Sequence, residues 1–393
     1  MTMDMHSKKP VDIRVFRGRA GLLELKPVWR QFESATSGLG FIHHYGWFRS
    51  YLESIGNGAG EVIFVLAMRE STPVAIFPLH RTVTRRFGIP LRTWELFWPN
   101  DMGICDYIFD KSEENRGLVL ALTKYLRGNK AMAWDLLSLK DTLEDSCAQF
   151  AMKASCPPLA INIKHHYSKY IPCHDDYEST MGRLSGDFRR NLRRQSKKVA
   201  ELGRIEYRFV SDAQEMEEAF RHFLHAEAAS WKGDAGTKSA IQLYQDKILF
   251  YRTLVDEFSK YGACSINLIL LNGECIASQF CLTVDDTLYL LKIGYSDEYK
   301  ALGPGNVLLT QLIQRCCMDD RINKISFVTG ASWNDRWAPL SLDVYEGSIF
   351  NRTWRGIIVY ALEMLKDYGR QVKKRARTPA QTGQTGVSAR ERV

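Results

Sequence analysis

The chain has 393 residues and a mass of 45.1 kDa, which is enough for two or three units with cores of their own. Its composition is 45% hydrophobic, 25% charged and 11% aromatic, which excludes disordered and fibrous proteins. No apolar run reaches the roughly 18 residues that a bilayer requires, and no secretory signal is evident. Nine scattered cysteines without a CxxC pair indicate a reducing cytoplasm and no metal site.

The net charge of +8 is concentrated at the C-terminus. Seven cations and one acid lie between Arg370 and Val393, so six of the eight net charges belong to this stretch. Residues 371–393 lack aromatic side chains and are predicted to form a basic disordered tail. Such a tail usually serves solubility, and contact with a membrane surface or with RNA is the alternative. The charge gives no indication of DNA as a partner.

In the first half, apolar patterns with helical and strand periods alternate. The predicted elements are helices near 22–34, 45–54 and 113–126, and strands near 62–68, 74–79, 92–97 and 135–139. A crossover between two halves is predicted over 153–173, where Pro157-Pro158 and Pro172 interrupt the pattern. These features indicate an α/β fold that divides near residue 165.

The second half has a sharper pattern. The predicted elements are helices at 185–202, 213–231, 241–260, 305–318 and 354–368, and strands at 263–271, 275–284, 287–295, 324–329 and 344–350. Asn272-Gly273 is a strong hairpin signal because both positions accept positive φ. The runs VLAMRESTPVAIFPL from Val65 and LILLNGECIASQFCL from Leu268 share a strand–turn–strand pattern, a weak internal echo.

A glycine-containing loop follows the third strand of this meander and begins an amphipathic helix. The first-turn amides of such a helix lack intrahelical acceptors and favour a phosphate group. Gly303 and Gly305 allow close backbone approach, and Asn306 lies in the cap region. An ordinary Gly-Pro-Gly loop is the structural alternative, because the segment is neither a Walker loop nor a GxGxxG fingerprint.

The spacing of Lys300, Gly303 and Gly305 resembles the Arg/Gln-x-x-Gly-x-Gly/Ala pyrophosphate loop of the GNAT acyltransferases, with Lys in the first position. Longer segments resemble the CelD-like or BcsL-like acetyltransferases, bacterial relatives of the Fem-type peptidyltransferases that are often tied to exopolysaccharide biosynthesis. These segments are FRRNLRRQSKKVAELG from Phe188, EAASWKGDAGT from Glu227, LYLLKIGYSDEYKALGPGNVLL from Leu288, ISFVTGASWNDRW from Ile325 and, more loosely, WPNDMGICDYIF from Trp98.

The resemblance implies two tandem GNAT-like domains with mixed central sheets, at 1–165 and 166–370. The second domain is expected to bind acetyl-CoA or another acyl-CoA, with no metal. Its diphosphate would lie against Lys300, Gly303, Gly305 and Asn306. The donor to the developing oxyanion is expected to be a backbone N–H near Ile293 or Gly294. A Tyr after the fifth strand, the usual general acid of these enzymes, is absent at Gly330–Trp333, which leaves the general acid unassigned.

Glu227 is the candidate general base. On the predicted helix it falls within about 40° of Phe220, in the middle of the apolar stripe, where an unpaired carboxylate is costly. A salt bridge to a structural Arg or Lys is the alternative explanation.

Other residues are candidates for acceptor or phosphate binding, each with a structural alternative. Trp231 and Lys232 could equally be a core residue and a helix-terminal cation. Asp101 and Asp106 could equally be turn aspartates. Arg189 and Arg193 belong to a helix with six cations outside its apolar stripe, which is either a solvated face or a clamp for phosphates, an acidic polymer or RNA.

Together these residues predict a cytoplasmic enzyme that moves an acetyl or acyl group from acyl-CoA to an amine or hydroxyl of a sugar, amino acid or exopolysaccharide precursor. One alternative is a Fem-type transferase that uses aminoacyl-tRNA. The other is a degenerate acyltransferase fold that serves as a scaffold in polysaccharide assembly.

Overall fold

The computed structural model describes residues 10–56, 60–97, 103–109, 117–154, 159–173 and 176–377. The elements of the first half are, in chain order, β1 (Val11–Arg17), α1 (Gly18–Ala35), α2 (Tyr45–Glu53), β2 (Val62–Arg69), β3 (Thr72–Arg86), β4 (Ile89–Leu96), β5 (Ile108–Phe109), α3 (Leu118–Gly128), β6 (Leu136–Leu143), α4 (Cys147–Ala154) and β7 (Ala160–Pro172).

The elements of the second half are α5 (Tyr177–Gly182), α6 (Gly186–Ala200), β8 (Ile205–Val210), α7 (Met216–Ala228), α8 (Gln245–Phe258), β9 (Cys264–Leu271), β10 (Glu274–Val284), β11 (Thr287–Tyr295), α9 (Pro304–Cys317), β12 (Lys324–Ser326), β13 (Leu340–Phe350) and α10 (Trp354–Arg377).

One mixed sheet runs through the molecule in the order β1-β2-β3-β4-β6-β13-β7-β12-β11-β10-β9-β8, with β5 paired beside β3. The two ends of the sheet repeat one pattern. Four antiparallel strands, β1 to β4 or β8 to β11, are followed by one parallel strand, β6 or β12. The weak sequence echo corresponds to the equivalent hairpins β2–β3 and β9–β10. The predicted α/β fold with mixed sheets is therefore confirmed.

The two halves exchange strands at their junction. β13, from the end of the chain, lies between β6 and β7, while β7 pairs with β12 of the second half. The segment predicted as a crossover, 153–173, therefore contains a thirteen-residue strand, and the expected boundary at residue 165 falls inside it. Most of β7 is exposed or half-buried, and only Ser168, Ile171 and Pro172 are buried, which explains why its sequence does not show a clear apolar run.

The halves also share a hydrophobic core. Trp29 and Trp47 of the first half and Phe220 and Phe250 of the second belong to one buried cluster, and the Trp47 and Phe250 rings lie 5.3 Å apart. At its rim, Glu257 accepts from Arg30 at 3.0 Å and from Arg49 at 2.5 Å, across the junction. The shared core makes independent motion of the two halves costly.

Three differences from the predicted elements lie at the edges of the fold. The outer strands β1 and β8 were not predicted, because edge strands carry exposed polar residues and no continuous apolar run. α10 continues to Arg377, past the predicted helix end at 368 and into the stretch predicted to be a tail. Residues 378–393 lie outside the described residues. Within the described part, no helix is long and apolar enough to cross a membrane.

Candidate functional site

The site begins where two parallel strands separate. β11 pairs with β12 only over Thr287–Tyr289, because β12 ends at Ser326. The remainder of β11, from Leu290 to Tyr295, pairs with β10 on one side, and on the other side no strand of the described residues covers it. Backbone groups on that edge are available to a ligand, since buried N–H and C=O groups require partners.

The two predicted oxyanion donors face opposite sides of β11. Ser296 N–H donates to Ile276 O of β10 at 3.0 Å, and Ile293 O accepts from Lys232 Nζ at 2.7 Å instead of from β10. Because successive residues of a strand direct their backbone groups to opposite sides, Gly294 faces β10 and Ile293 faces the open edge. Gly294 has a different role: a Cβ there would lie 2.6 Å from Glu227 Cα, so glycine lets α7 pack against β11.

The predicted phosphate loop caps α9. Gly303 has φ +61°, and its O accepts from the N–H groups of Asn306 and Val307 at 3.0 and 3.2 Å. No acceptor for the Gly305 N–H exists among the described residues, so it is the free first-turn amide at the positive end of the helix dipole. A Cβ at Gly303 would lie 2.1 Å from Gln195 Nε2, so the α6 side chain partly fills this corner.

The open strand edge and the tip of α9 line one cavity of about 580 Å³. Six residues predicted to bind the donor or the acceptor line it: Trp231, Lys232, Lys300, Gly303, Gly305 and Asn306. Ile293 and Gly294, whose backbone N–H groups were predicted as oxyanion donors, line it as well. Its titratable lining residues are four cations, Lys232, Lys292, Lys300 and Arg336, with one tyrosine, and among the described residues no Asp or Glu lines it. Such a cavity suits a ligand with several negative charges.

Glu227 lies behind this cavity. It is 1% exposed, its Oε2 accepts from the Ile241 N–H at 2.7 Å, and its Oε1 lies 3.3 Å from Lys232 Nζ. Lys232 lines the cavity and Glu227 does not. A lysine ammonium has three N–H donors, and those of Lys232 are shared between Ile293 O and Glu227 Oε1, which leaves one for a ligand.

A strained turn follows β12 at the cavity wall. Val328 has φ +62°, which is unusual for a β-branched residue, and the Thr329 N–H donates to Phe327 O at 2.6 Å. Val328 and Thr329 both line the cavity, and a Cβ at Gly103 would lie 3.0 Å from the Thr329 methyl group. Strain of this kind persists only where the surrounding structure enforces it.

The other predicted residues lie elsewhere or in a different setting. Trp231 follows the end of α7 at Ala228, so it does not join the apolar stripe and is 48% exposed at the cavity mouth. Arg189 is half-buried and Arg193 is exposed, and neither lines the cavity. Asp101 lies outside the described residues.

Asp106 lies in a second cavity, of about 280 Å³, between the halves. Its two carboxylate oxygens accept from the N–H groups of Cys147 and Ala148 at 2.7 and 2.9 Å, at the N-terminus of α4. His43 Nδ1 accepts from Gly40 N–H, so its Nε2 carries the proton and donates to Asp106 at 3.2 Å. These bonds give Asp106 a helix-capping role.

Several lining residues were not singled out from the sequence, among them Gln195, Gln279 and Arg336. Gln195 accepts from Asn306 Nδ2 at 3.2 Å, Gln279 accepts from Asn267 Nδ2 at 3.2 Å, and Arg336 lies 5.5 Å from the Phe188 ring. For Gln195 a signal was available, since it is a polar residue within the apolar stripe of α6. The other two come from separate elements, and only the folded chain brings them to the cavity.

Comparison with known proteins defines the class of this half. Residues 186–337 match the family model described as Acetyltransferase (GNAT) domain, a range that includes the residues that line the larger cavity. Over these residues the second half therefore has the fold of a GNAT-type acyltransferase domain. No curated protein matches the sequence.

Solved structures extend the likeness to both halves. FemX aligns with a TM-score of 0.55 at 10% identity, over 86% of this chain and 97% of its own. L-PGS from Bacillus licheniformis aligns with a TM-score of 0.50 at 11% identity, over 85% and 95%. At these identities the likeness is one of fold. The prediction of two GNAT-like units is confirmed at that level, while the likeness to CelD-like enzymes stays a prediction.

Proposed function

We propose that the protein transfers an acetyl or other acyl group from acyl-CoA to an amine or hydroxyl of a sugar, amino acid or exopolysaccharide precursor. The observation that carries this proposal is the cavity beside the open edge of β11. It combines four cations, a free helix-terminal amide and an unpaired strand edge in one space of about 580 Å³. These are the groups needed to bind a diphosphate and an extended amide-containing arm.

The donor would be bound along the cavity. Lys300 and the Gly305 N–H supply charge and a hydrogen bond to the diphosphate, and Asn306 is held beside them by Gln195. The amide groups of the pantetheine arm would pair with the open edge of β11, in the manner of an added strand.

The chemistry would occur where the Ile293 N–H and Lys232 Nζ face the same space. A thioester carbonyl that is attacked by an amine or hydroxyl develops negative charge on oxygen, and preorganised N–H donors stabilise that charge. The Ile293 N–H and the remaining N–H of Lys232 are such donors. Glu227, the predicted general base, can exchange a proton with the cavity through Lys232, and it fixes the position of that ammonium.

Nothing in the cavity specifies one acceptor. Trp231 and Trp333 are both partly exposed at its wall and offer apolar faces to a sugar or an aliphatic amine. Asp101 and Asp106 stay predictions as acceptor residues, and so do Arg189 and Arg193.

The exposed face of α6 supports a second candidate function, transfer from an aminoacyl-tRNA. Five of its cations are exposed: Arg190, Arg193, Arg194, Lys197 and Lys198. α6 packs against α9 and contributes Gln195 to the cavity, so an RNA backbone on α6 could reach the same space.

Titration calorimetry with acetyl-CoA and with an aminoacyl-tRNA distinguishes the two donors. We expect wild-type protein and Lys197→Ala to bind acetyl-CoA equally, and Lys300→Ala to bind it about tenfold more weakly, because it loses a charge-assisted contact with phosphate. Binding of the aminoacyl-tRNA alone, weakened by Lys197→Ala and by salt, would favour the alternative. The remaining alternative, a degenerate fold that serves as a scaffold in polysaccharide assembly, predicts that neither donor binds.

A further inference from the structure

The outward face of α10 is apolar. Six large side chains on this face are exposed, and Trp354, Leu365 and Tyr368 are 65, 66 and 69% exposed. At 3.6 residues per turn they lie within an arc of about 120° that also contains Ala361. The six residues, which we call the α10 face, are Trp354, Ile357, Ile358, Met364, Leu365 and Tyr368.

The opposite side of α10 is also apolar, because it packs on the first half. Val359 is fully buried in a cluster with Leu91, Leu136 and Phe350. A Cβ at Gly356 would lie 2.3 Å from Asn351 O, so glycine allows this close approach. A surface helix normally pairs such a buried stripe with a polar outer face. In α10 the outer face is apolar instead, which indicates contact with something other than water.

In the sequence, the residues of the α10 face are bordered by cations. From 352 to 377 the sequence has eight Lys or Arg residues and two acids, Glu363 and Asp367. Glu363 is already paired with Arg86, at 3.5 Å. Lys366 lies 5.6 Å from the ring of Phe87, an exposed residue at the tip of the β3–β4 hairpin. A second copy of the chain placed face to face would bring these like charges together.

Residues 378–393, which follow α10 in the sequence, offer little to cover this face. Residues 378–393 contain no aromatic residue, and their large apolar residues are two valines, Val387 and Val393. An apolar arc with aromatic residues, flanked by Lys and Arg, is the pattern of helices that lie in the surface of an anionic bilayer.

We propose that the α10 face binds the surface of membranes that contain anionic lipids. The helix lies in the plane of the interface, its apolar arc enters the boundary between headgroups and acyl chains, and the flanking cations contact lipid phosphates. This surface belongs to α10, which packs on the first half, and no residue of α10 lines the donor cavity, so the proposal does not depend on the identity of the donor.

Co-sedimentation of the full chain with vesicles tests this proposal. The vesicles are phosphatidylcholine alone, or phosphatidylcholine mixed with phosphatidylglycerol. We expect the wild type to sediment with the mixed vesicles and to remain largely in solution with the neutral ones. Leu365→Glu should lower partitioning by roughly tenfold or more, because a leucine that enters the acyl-chain boundary on binding is replaced by a charge.

Leu23→Glu is the matched control, since Leu23 is 65% exposed on helix α1. It should partition like the wild type, and both variants should keep the wild-type melting temperature because neither side chain is buried. A protein that ends at Arg377 should still bind. Three results would overturn the proposal: a wild type that ignores anionic vesicles, equal losses in the two leucine variants, or a wild-type dimer that Leu365→Glu converts to a monomer without changing lipid binding.

Discussion

Substitutions at the two glycines of the α9 tip separate a binding role from a folding role. Gly305 has φ in the ordinary range, and a Cβ there would meet only Tyr295 Cδ1, at 3.4 Å. Gly303 has φ +61°, and a Cβ there would meet Gln195 Nε2 at 2.1 Å. Gly305→Ala therefore tests whether there is space for a side chain at this position, and Gly305→Trp tests whether a ligand needs access to it. Gly303→Ala tests the strain of a side chain in the left-handed region.

The expected free energies follow from this geometry. Gly305→Ala should stabilise the fold by about 0.5 kcal/mol, because alanine loses less backbone entropy than glycine in a helix. Gly303→Ala should destabilise it by about 1–2 kcal/mol, because a side chain disfavours the left-handed region. Gly305→Trp should leave the free energy of unfolding nearly unchanged, since its side chain extends into the cavity. It should weaken acetyl-CoA binding roughly 10- to 100-fold, because the indole keeps the diphosphate from the Gly305 N–H and one charge-assisted hydrogen bond is lost.

Urea denaturation measures the first two effects, and titration calorimetry with acetyl-CoA measures the third. The result that would refute the reasoning is a correctly folded Gly305→Trp protein with wild-type affinity for acetyl-CoA. The diphosphate would then lie somewhere other than the tip of α9. A strongly destabilised Gly305→Ala protein would likewise show that the space beside this residue is filled.

The remaining predictions concern buried ionisable groups. Glu227→Gln should lower the free energy of unfolding, measured by urea denaturation, by about 2 kcal/mol. It should also lower kcat far more than it changes the affinity for acetyl-CoA, and a variant with wild-type turnover would remove Glu227 from the mechanism. Lys232→Met should lower the free energy of unfolding by about 3 kcal/mol, because it leaves the Glu227 carboxylate buried without a cation. The double variant Glu227→Gln/Lys232→Met should lose less stability than the sum of the two single variants, and strict additivity would show that the two side chains are not coupled. Burial, together with the nearby His43 and Arg30, lowers the pKa of His44 from 6.5 to about 4. As the pH falls from 6.5 to 4, His44 therefore takes up a proton in the unfolded chain but not in the folded chain, which destabilises the fold. Between pH 7 and 4.5 the wild type should lose about 2.5 kcal/mol more than His44→Phe, and parallel pH profiles of the two proteins would contradict this.

Local sequence patterns predicted the elements that carry their own signals. The helix predicted at 305–318 is α9 at Pro304–Cys317, because the Gly-Pro-Gly loop marks its beginning. The meander predicted around Asn272-Gly273 is β9 to β11, because a tight turn joins two apolar strands. The Lys300-x-x-Gly303-x-Gly305 spacing indicated residues that the fold gathers around one cavity.

The strand exchange could not be predicted from such patterns. β7 and β13 pair with each other although roughly 180 residues of sequence separate them. In addition, β7 of the first half pairs with β12 of the second, and β13 of the second half pairs with β6 of the first. The hydrophobic period and the turn residues of a segment predict that it forms a strand, but they do not predict which strand it pairs with. The sequence therefore indicated a boundary between two halves near residue 165 and not an exchange of strands. The early end of β12, which opens the edge of β11, is likewise a property of pairing and not of either strand alone.

The sequence by itself determined the class of fold, the position of the loop that we propose binds phosphate and the presence of a carboxylate on the buried stripe of α7, because each depends on residues close together in the chain. Only the tertiary structure decided that Glu227 lies behind Lys232, that the backbone groups of Ile293 and not those of Gly294 face the open edge of β11, and that both faces of α10 are apolar with one of them exposed. Those features depend on which surfaces meet when the chain packs, and packing is set by contacts between residues that are distant in sequence.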